Sequence, residues 1–190
     1  MSFASAFDEL NFGLRMRFSR VARRACEGLT KHMASPRVVK DREGISKYLS
    51  RWYPLGRRND DEASGERESS VNVFLHCLHR SDSDNALHSH PWKWFLSIIL
   101  VAGYSEERRV GDGVVRRLLL PLSINFIRQS DYHRLDLIDG EAWTLCIAGP
   151  KVDTWYFWDR DTKLRAKWDD YILWLRTGRK ISTQVDRREL

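Results

Sequence analysis

The sequence predicts an all-β domain, a barrel or sandwich of short strands, with a helix at each end. Between residues 71 and 158 at least eight short apolar stretches follow one another at a spacing near ten residues, a pattern typical of sandwiches and barrels. Turn residues separate them, and Gly111-Asp-Gly113 and Asp139-Gly140 predict tight hairpins because glycine accepts a positive φ. The chain has eight Trp, eight Phe and six Tyr, most of them between residues 74 and 174, where we expect the core.

The predicted strands share apolar character and clear turn boundaries. Pro91 ends the second of them, and Gly103 turns the chain after the third. In chain order we expect strands at 71–78, one ending at 88–90, then 94–101, 104–109, 114–120, 123–127, 133–137, 143–148 and 154–158.

The regions outside the barrel are predicted to be helical, apart from a polar linker. We expect a short amphipathic helix at 18–32 preceded by a looser arm, and a second short helix at 41–52. A C-terminal helix is predicted at 167–176, docked by its aromatic side chains. The predicted organisation is therefore a basic helical extension (1–55), a polar linker (56–70), the barrel (71–160), and a C-terminal helix with a basic tail (161–190).

The positive charge lies at the two ends of the chain. Residues 1–40 carry eight basic side chains against three acidic ones, and residues 176–190 carry five against two, within a formal net charge of +6. Basic ends of this kind can bind nucleic acid or an acidic partner, although charge alone reads no base sequence. More often such ends are simply solvated.

Cysteine usage and hydropathy indicate a cytoplasmic protein. Cys26, Cys77 and Cys146 are odd in number and far apart, so they predict reduced thiols rather than a disulfide framework or a zinc knuckle. No signal peptide is recognisable at the N-terminus. The longest apolar run, residues 94–104, is about half of the ~20 residues that span a bilayer, so no membrane segment is expected.

Three histidines carry the main chemical signal. Side chains two apart on a strand point the same way, so His88 and His90 project side by side, as two ligands of one metal must. A third isolated histidine, His133, follows about forty residues later. Imidazole is the commonest transition-metal ligand, so we predict a divalent metal at His88, His90 and His133. The alternative is a barrel without metal whose histidines are satisfied by hydrogen bonds.

The order of these pieces resembles the cupin superfamily, small jelly-roll barrels with an internal metal site. Its first motif is H-x-H, then usually a glutamate, then a turn glycine, and its second motif adds a histidine. Here His88 and His90 match the pair, Gly103 the turn glycine, and His133 the second motif. The resemblance covers about residues 70–158. It implies a double-stranded β-helix (cupin/jelly-roll) barrel with an N-terminal helical extension and a C-terminal helix.

One departure from the family pattern affects the expected metal. The glutamate position falls at Trp94 or Phe95, and neither side chain binds a metal. The three-histidine site that is left resembles the cysteine-dioxygenase branch and implies Fe(II), with Zn, Mn or Ni as the other candidates. The cysteine that forms a thioether in some cysteine dioxygenases also falls at Phe95, which counts against that activity itself. The segment from His88 to Glu106 is similar to bacterial and phage cupin-like proteins without an assigned chemistry.

Four further residues are candidates for the site. Glu106 is the nearby carboxylate after the turn and is a candidate ligand or catalytic base, although its spacing places it toward the far end of its strand from His90. Trp92 and Tyr104 are candidates for an aromatic substrate pocket, the alternative being that they fill the core. Arg128 is the candidate for binding a substrate carboxylate or phosphate.

The resulting functional hypothesis is a metal-dependent enzyme acting on a small molecule, with Fe(II) oxygenase chemistry on a small acid or thiol as the first candidate. A metal-dependent isomerase or lyase is the second candidate. A ligand-binding or regulatory module that uses the pocket without turnover is the third. Cupins often pair through barrel edges or swapped strands, so the resemblance also implies a homodimer.

Overall fold

The computed structural model describes residues 3–41, 44–55, 71–82 and 85–177. Within these residues the chain forms two helices, and twelve strands between them. The helices are α1 (Phe3–Thr30) and α2 (Trp168–Thr177). The strands are β1 (Arg37–Lys40), β2 (Lys47–Leu55), β3 (Asn72–Leu78), β4 (Leu87–His88), β5 (Trp94–Val101), β6 (Tyr104–Val110), β7 (Gly113–Leu119), β8 (Ile124–Arg128), β9 (His133–Leu137), β10 (Ala142–Ala148), β11 (Tyr156–Trp158) and β12 (Arg165–Lys167).

The strands form two antiparallel sheets of six strands each. The first sheet has the order β1-β2-β3-β10-β5-β8, and the second has the order β12-β11-β4-β9-β6-β7. From β3 onward the chain crosses repeatedly between the sheets, so most neighbouring strands are distant in sequence, apart from the pairs β6–β7 and β11–β12. This is the double-stranded β-helix of a cupin-type jelly roll, and it confirms the predicted fold class.

Period-two burial explains how the strands enclose a core. Along β5 buried and half-buried residues alternate without a break, as expected when one face of a strand packs inward. Ile99 lies in one inner cluster with Tyr104 and Leu135, and Phe95 lies in another with Phe74. The two clusters fill the space between the sheets.

The sharp turn between β5 and β6 depends on a glycine. Gly103 has a φ of 131°, a conformation that side chains rarely adopt. A Cβ at this position would lie 2.4 Å from the backbone oxygen of Leu119. The turn glycine that the sequence indicated is therefore required both by its backbone conformation and by a close backbone approach.

Helix α1 covers the outer face of the first sheet, where it contacts β5. Cys26 is buried there against Val101 and Trp143. The Ser19 hydroxyl accepts a hydrogen bond from the Ala102 amide at 3.0 Å. The helix is thus packed on the barrel over part of its length, and it begins well before residue 18, where the sequence predicted only a loose arm.

The predicted helix at 41–52 is wrong, because its second half, residues 47–52, belongs to strand β2 of the first sheet. Strand β2 pairs with β3 through Leu49 opposite Leu78 and Arg51 opposite His76. Ile45, which a helical interpretation would place on the apolar face, is 79% exposed. The sheet therefore extends N-terminally of residue 71, and β1 pairs on the outside of β2.

The C-terminal helix docks as predicted, through its aromatic side chains. The Tyr171 ring stacks on Phe157 of β11 with 4.5 Å between centroids. Helices in the described part of the chain are too short or too polar to cross a membrane. The predicted linker at 56–70 and the basic tail after residue 177 lie outside the described residues. Binding of nucleic acid or an acidic partner by the basic ends of the chain stays a prediction, as does a homodimer.

Candidate metal centre

The three predicted histidines come together inside the barrel. His88 on β4 pairs directly with His133 on β9, and His90 follows two residues after His88. The ring centroids of His88 and His90 lie 4.7 and 5.0 Å from that of His133. One ring nitrogen from each histidine lies within 4.8 Å of the other two, so the group could hold a metal ion.

The spacing of two of these nitrogens suits metal ligands. The Nε2 atoms of His90 and His133 are 2.9 Å apart. Two nitrogens at about 2.1 Å from a metal and at right angles are about 3.0 Å apart, and at a tetrahedral angle about 3.4 Å. An N–H···N hydrogen bond has a similar length. This one distance fits both a metal pair and a metal-free pair.

The protonation state of the group favours metal binding. Burial lowers the pKa of His88 to about 4, an effect that the nearby Asp82 only partly offsets. Burial and the neighbouring positive charges lower the pKa of His90 well below its usual range. Metal ligation requires neutral imidazole, so these two side chains are in the required form at neutral pH.

Glu106 fixes the orientation of one ligand. It is fully buried, and its Oε1 accepts a hydrogen bond from Nδ1 of His133 at 2.8 Å. A carboxylate on Nδ1 sets the tautomer that leaves the Nε2 lone pair for a metal. The prediction that Glu106 lies toward the far end of its strand from the site is therefore wrong. The registers of β6 and β9 bring it beside His133.

The remaining hydrogen bonds of Glu106 hold it as a carboxylate. Asn125 and Arg108 donate to Oε1 at 2.8 and 2.9 Å, and Arg117 donates to Oε2. Burial acts to raise the pKa of Glu106, but the hydrogen bonds from His133, Arg117 and Asn125 outweigh it and hold the pKa below its usual range. With both oxygens engaged, Glu106 fits a positioning role better than that of a ligand or catalytic base.

A second carboxylate lies beside His88. Oδ2 of Asp82 is 3.7 Å from Nδ1 of His88. Asp82 is itself held by the Tyr48 hydroxyl at 2.6 Å and by the Leu135 amide at 2.7 Å. Two of the three histidines thus face a fixed carboxylate through Nδ1. Nδ1 of His90 is buried without a hydrogen-bond partner in the described part of the chain.

The histidines line a cavity of about 170 Å³ between the two sheets. On the first sheet Arg51 and His76 face into it, and Tyr104 of the second sheet also lines it. Four aromatic side chains from the C-terminal part of the chain form an apolar wall. They are Trp155, Phe157, Trp168 and Tyr171.

Two predicted substrate contacts do not line this cavity. Trp92 packs in the core, with its ring 5.3 Å from Phe95 and 5.4 Å from Phe74. Arg128 is exposed at the end of β8, because alternate residues of that strand face outward. Neither side chain is therefore placed to contact a molecule bound in this cavity.

The sequence interpretation missed Arg51, which lines the cavity instead. Its Nε donates a hydrogen bond to Nε2 of His76 at 2.8 Å. Alternation of residues along a strand would have indicated it, because Leu49 and Arg51 are two apart and both face the interior. They lie opposite Leu78 and His76. Interpreting 41–52 as a helix concealed that alternation.

A second group of metal-capable side chains lies beside the α1 contact region. It consists of Cys77, His79 and Glu141. Nδ1 of His79 is 2.6 Å from Oε1 of Glu141, and its Nε2 is 2.8 Å from the Ser50 hydroxyl. Burial raises the pKa of the Cys77 thiol. Both ring nitrogens are satisfied by hydrogen bonds, which accounts for this group without a metal.

The comparisons with known proteins identify no family for this chain. No family model matches the chain, and no curated protein matches it. Among solved structures, hydroxypropylphosphonic acid epoxidase from S. wedmorenis is 13% identical with a TM-score of 0.42, over 60% of this chain and 55% of that one. The Fe(II) form of that enzyme with an alternative substrate is 14% identical with a TM-score of 0.44, over 62% and 56%.

A lyase structure is similar over a shorter region. DMSP lyase DddQ from Ruegeria pomeroyi DSS-3 is 17% identical with a TM-score of 0.37, over 46% of this chain and 42% of that one. The alignments thus span about half of those chains. Similarities this distant do not indicate an activity for the present protein.

Proposed function

We propose that this protein is a metal-dependent enzyme that acts on a small molecule bound beside a three-histidine centre. The observation that carries the proposal is the convergence of His88, His90 and His133 at the wall of an internal cavity. The proposed metal is Fe(II), and the proposed chemistry is oxygenation of a small acid or thiol. Zn, Mn and Ni are the alternatives for the same donor set.

The composition of the donor set supports this choice. The cluster found among the described residues has three protein ligands, whereas a closed structural zinc site has four. A metal held by three neutral imidazoles keeps coordination positions open, at which a substrate or dioxygen can be bound and polarised. All three histidines line the cavity, so a small molecule bound there would lie beside a metal that they hold.

The protein side chains supply orientation and an apolar surface. Glu106 accepts a hydrogen bond from Nδ1 of His133, which leaves Nε2 of that ring for a metal, and Asp82 lies 3.7 Å from Nδ1 of His88. The apolar wall formed by Trp155, Phe157, Trp168 and Tyr171 would pack against the apolar part of a bound molecule. Proximity of that molecule to the metal would then be the main source of rate enhancement.

The other two functional hypotheses have less support. An isomerase or lyase needs a base in the cavity, but the carboxylates that line it are engaged. Asp41 pairs with Arg80, and Asp82 accepts hydrogen bonds from Tyr48 and Leu135. A ligand-binding module without metal is favoured only by the separation between the His90 and His133 nitrogens, which also suits a hydrogen bond.

Metal content tests the proposal. The protein is purified without chelator or nickel resin and analysed by elemental mass spectrometry beside a His88→Ala/His90→Ala variant. His79→Ala is the matched control, because it removes an imidazole from the other metal-capable group. We expect near-stoichiometric iron in the parent and the control, lost from the double variant. Parent protein that binds no metal after anaerobic reconstitution with Fe(II) would contradict the proposal and favour a binding module.

A further inference from the structure

The cavity contains a buried positive charge that the proposed metal centre does not use. Arg51 on β2 is 5% exposed and lines the cavity that the three histidines border. We propose that Arg51 is an anion-binding subsite, and that the small molecule bound there carries a carboxylate group. This inference names the substrate class of the proposed enzyme and to that extent rests on the proposed function.

The surroundings of Arg51 hold its guanidinium in one orientation. Its Nε donates to Nε2 of His76 at 2.8 Å. Its Cζ lies 4.6 Å from the ring centroid of Phe74 and 5.4 Å from that of Trp92. Arginine has five N–H donors in a fixed fork. His76 takes one of them, and the side chain of Tyr53 also interacts with the guanidinium. The donors that remain are a preorganised site for a planar carboxylate.

The charge of Arg51 is not balanced by the described residues. Other half-buried or exposed arginines pair with buried carboxylates, as Arg108 and Arg117 do with Glu106. Arg51 has no such ion pair among the residues that the structure describes. Its neighbour His76 is neutral, because burial and the Arg51 charge lower the pKa of that imidazole well below its usual range. An unbalanced buried charge is strongly unfavourable, and an anionic ligand would supply the missing partner.

Arg51 and the three histidines line the same cavity, so one small ligand in it can reach both. Cζ of Arg51 lies 5.4 Å from the ring centroid of Trp92, and the ring of His90 lies 6.0 Å from the same centroid. A cavity of 150 Å³ accommodates a benzene molecule, and the volume here is about 170 Å³. The ligand is therefore small, with a carboxylate at Arg51 and an apolar part against the aromatic wall.

A purely structural role for Arg51 is the competing explanation, since its contacts with Phe74 and Trp92 also stabilise a cation. Matched pairs of probes separate the two. Butyrate, benzoate and phenylacetate are titrated calorimetrically into the full chain, each beside its uncharged amide, with metal-free and Fe(II)-loaded protein. We expect at least one acid to bind at least tenfold more tightly than its amide in both forms.

Variants then show whether Arg51 causes the tighter binding of the acid. Arg51→Met removes the charge while keeping an apolar side chain against Phe74, and it should abolish the preference for the acid. Arg51→Lys retains the charge and should retain part of the preference. Arg128→Met, at an exposed arginine outside the cavity, is the control and should bind as the parent does. Equal binding of acids and amides by the parent, or no binding of any probe, would overturn the inference without any variant.

The result is separable from that of the metal test. If acids bind more tightly than amides through Arg51 but the protein binds no metal, the anion-binding subsite is supported and the proposed enzyme is contradicted. If the protein binds metal but binds acids and amides equally, the metal centre is supported and the anion-binding subsite is contradicted. If Arg51→Met fails to fold, the comparison of acid with amide on the parent and on Arg51→Lys still decides the question.

Discussion

Glu106 is the residue whose replacement most sharply tests how the histidine centre is built. In a Glu106→Gln variant the side chain keeps its shape, but its amide group opposes the donors of Arg117 and its oxygen accepts more weakly from His133. Loss of a buried carboxylate that orients a metal-bound histidine lowers metal affinity about 10–100-fold. Breaking a buried ion pair costs about 3 kcal/mol or more. For a domain of this size that lowers Tm by roughly 6–12 °C.

The same strand provides a matched control. Glu107 is also buried, but it points to the opposite face of β6. It pairs with Arg116, Arg134 and Arg160 and contacts none of the three histidines. Glu107→Gln should therefore lower Tm by a similar amount and leave metal affinity within about twofold of the parent.

The assay measures both quantities on both variants. Thermal unfolding followed by circular dichroism gives Tm, and competition with a chromophoric chelator gives the metal dissociation constant. The expected result is that both variants lose stability and only Glu106→Gln loses metal affinity. An equal loss of affinity in the two variants would mean that the effect passes through stability, and the positioning role of Glu106 would be refuted.

Three further predictions follow from the fold. The pKa of Glu107 is held at about 2, because hydrogen bonds from arginines outweigh burial. Its contribution to stability is present above pH ~4.5 and is lost as the pH falls toward 2, so the stability gap between parent and Glu107→Gln in urea unfolding should shrink from pH 6 to pH 3. A constant gap would refute this. Gly103→Ala should lower stability by about 3 kcal/mol or more, because its Cβ meets the Leu119 oxygen, and an unchanged Tm would contradict it. Tyr171→Ala should cost about 3–5 kcal/mol by removing the ring stacked on Phe157, which urea unfolding would show as a lower midpoint.

Local periodicity was sufficient to predict the parts of the site that lie on one strand or at one turn. His88 and His90, predicted to project side by side, both border the cavity, although strand β4 itself ends at His88. Gly103 was predicted as a turn, and its φ of 131° requires glycine. Strand β5 has the predicted bounds, and so does β9. These features depend on neighbours within a few residues.

The parts that were missed depend on pairing between distant strands. Glu106 reaches His133 only through the register of β6 with β9, and no spacing within the sequence specifies that register. Arg51 faces the cavity because β2 adds to the sheet beside β3, whereas its local sequence was compatible with a helix. Arg128, predicted to bind a substrate anion, is exposed at the end of β8 and does not line the cavity.

Anomalous X-ray scattering from crystals of the Fe(II)-loaded protein tests the central claim most directly. Data collected on both sides of the iron absorption edge locate the metal independently of any activity. The account predicts one strong peak about 2.1 Å from a ring nitrogen of each of His88, His90 and His133. No peak at this position, or a peak only at Cys77, His79 and Glu141, would contradict it.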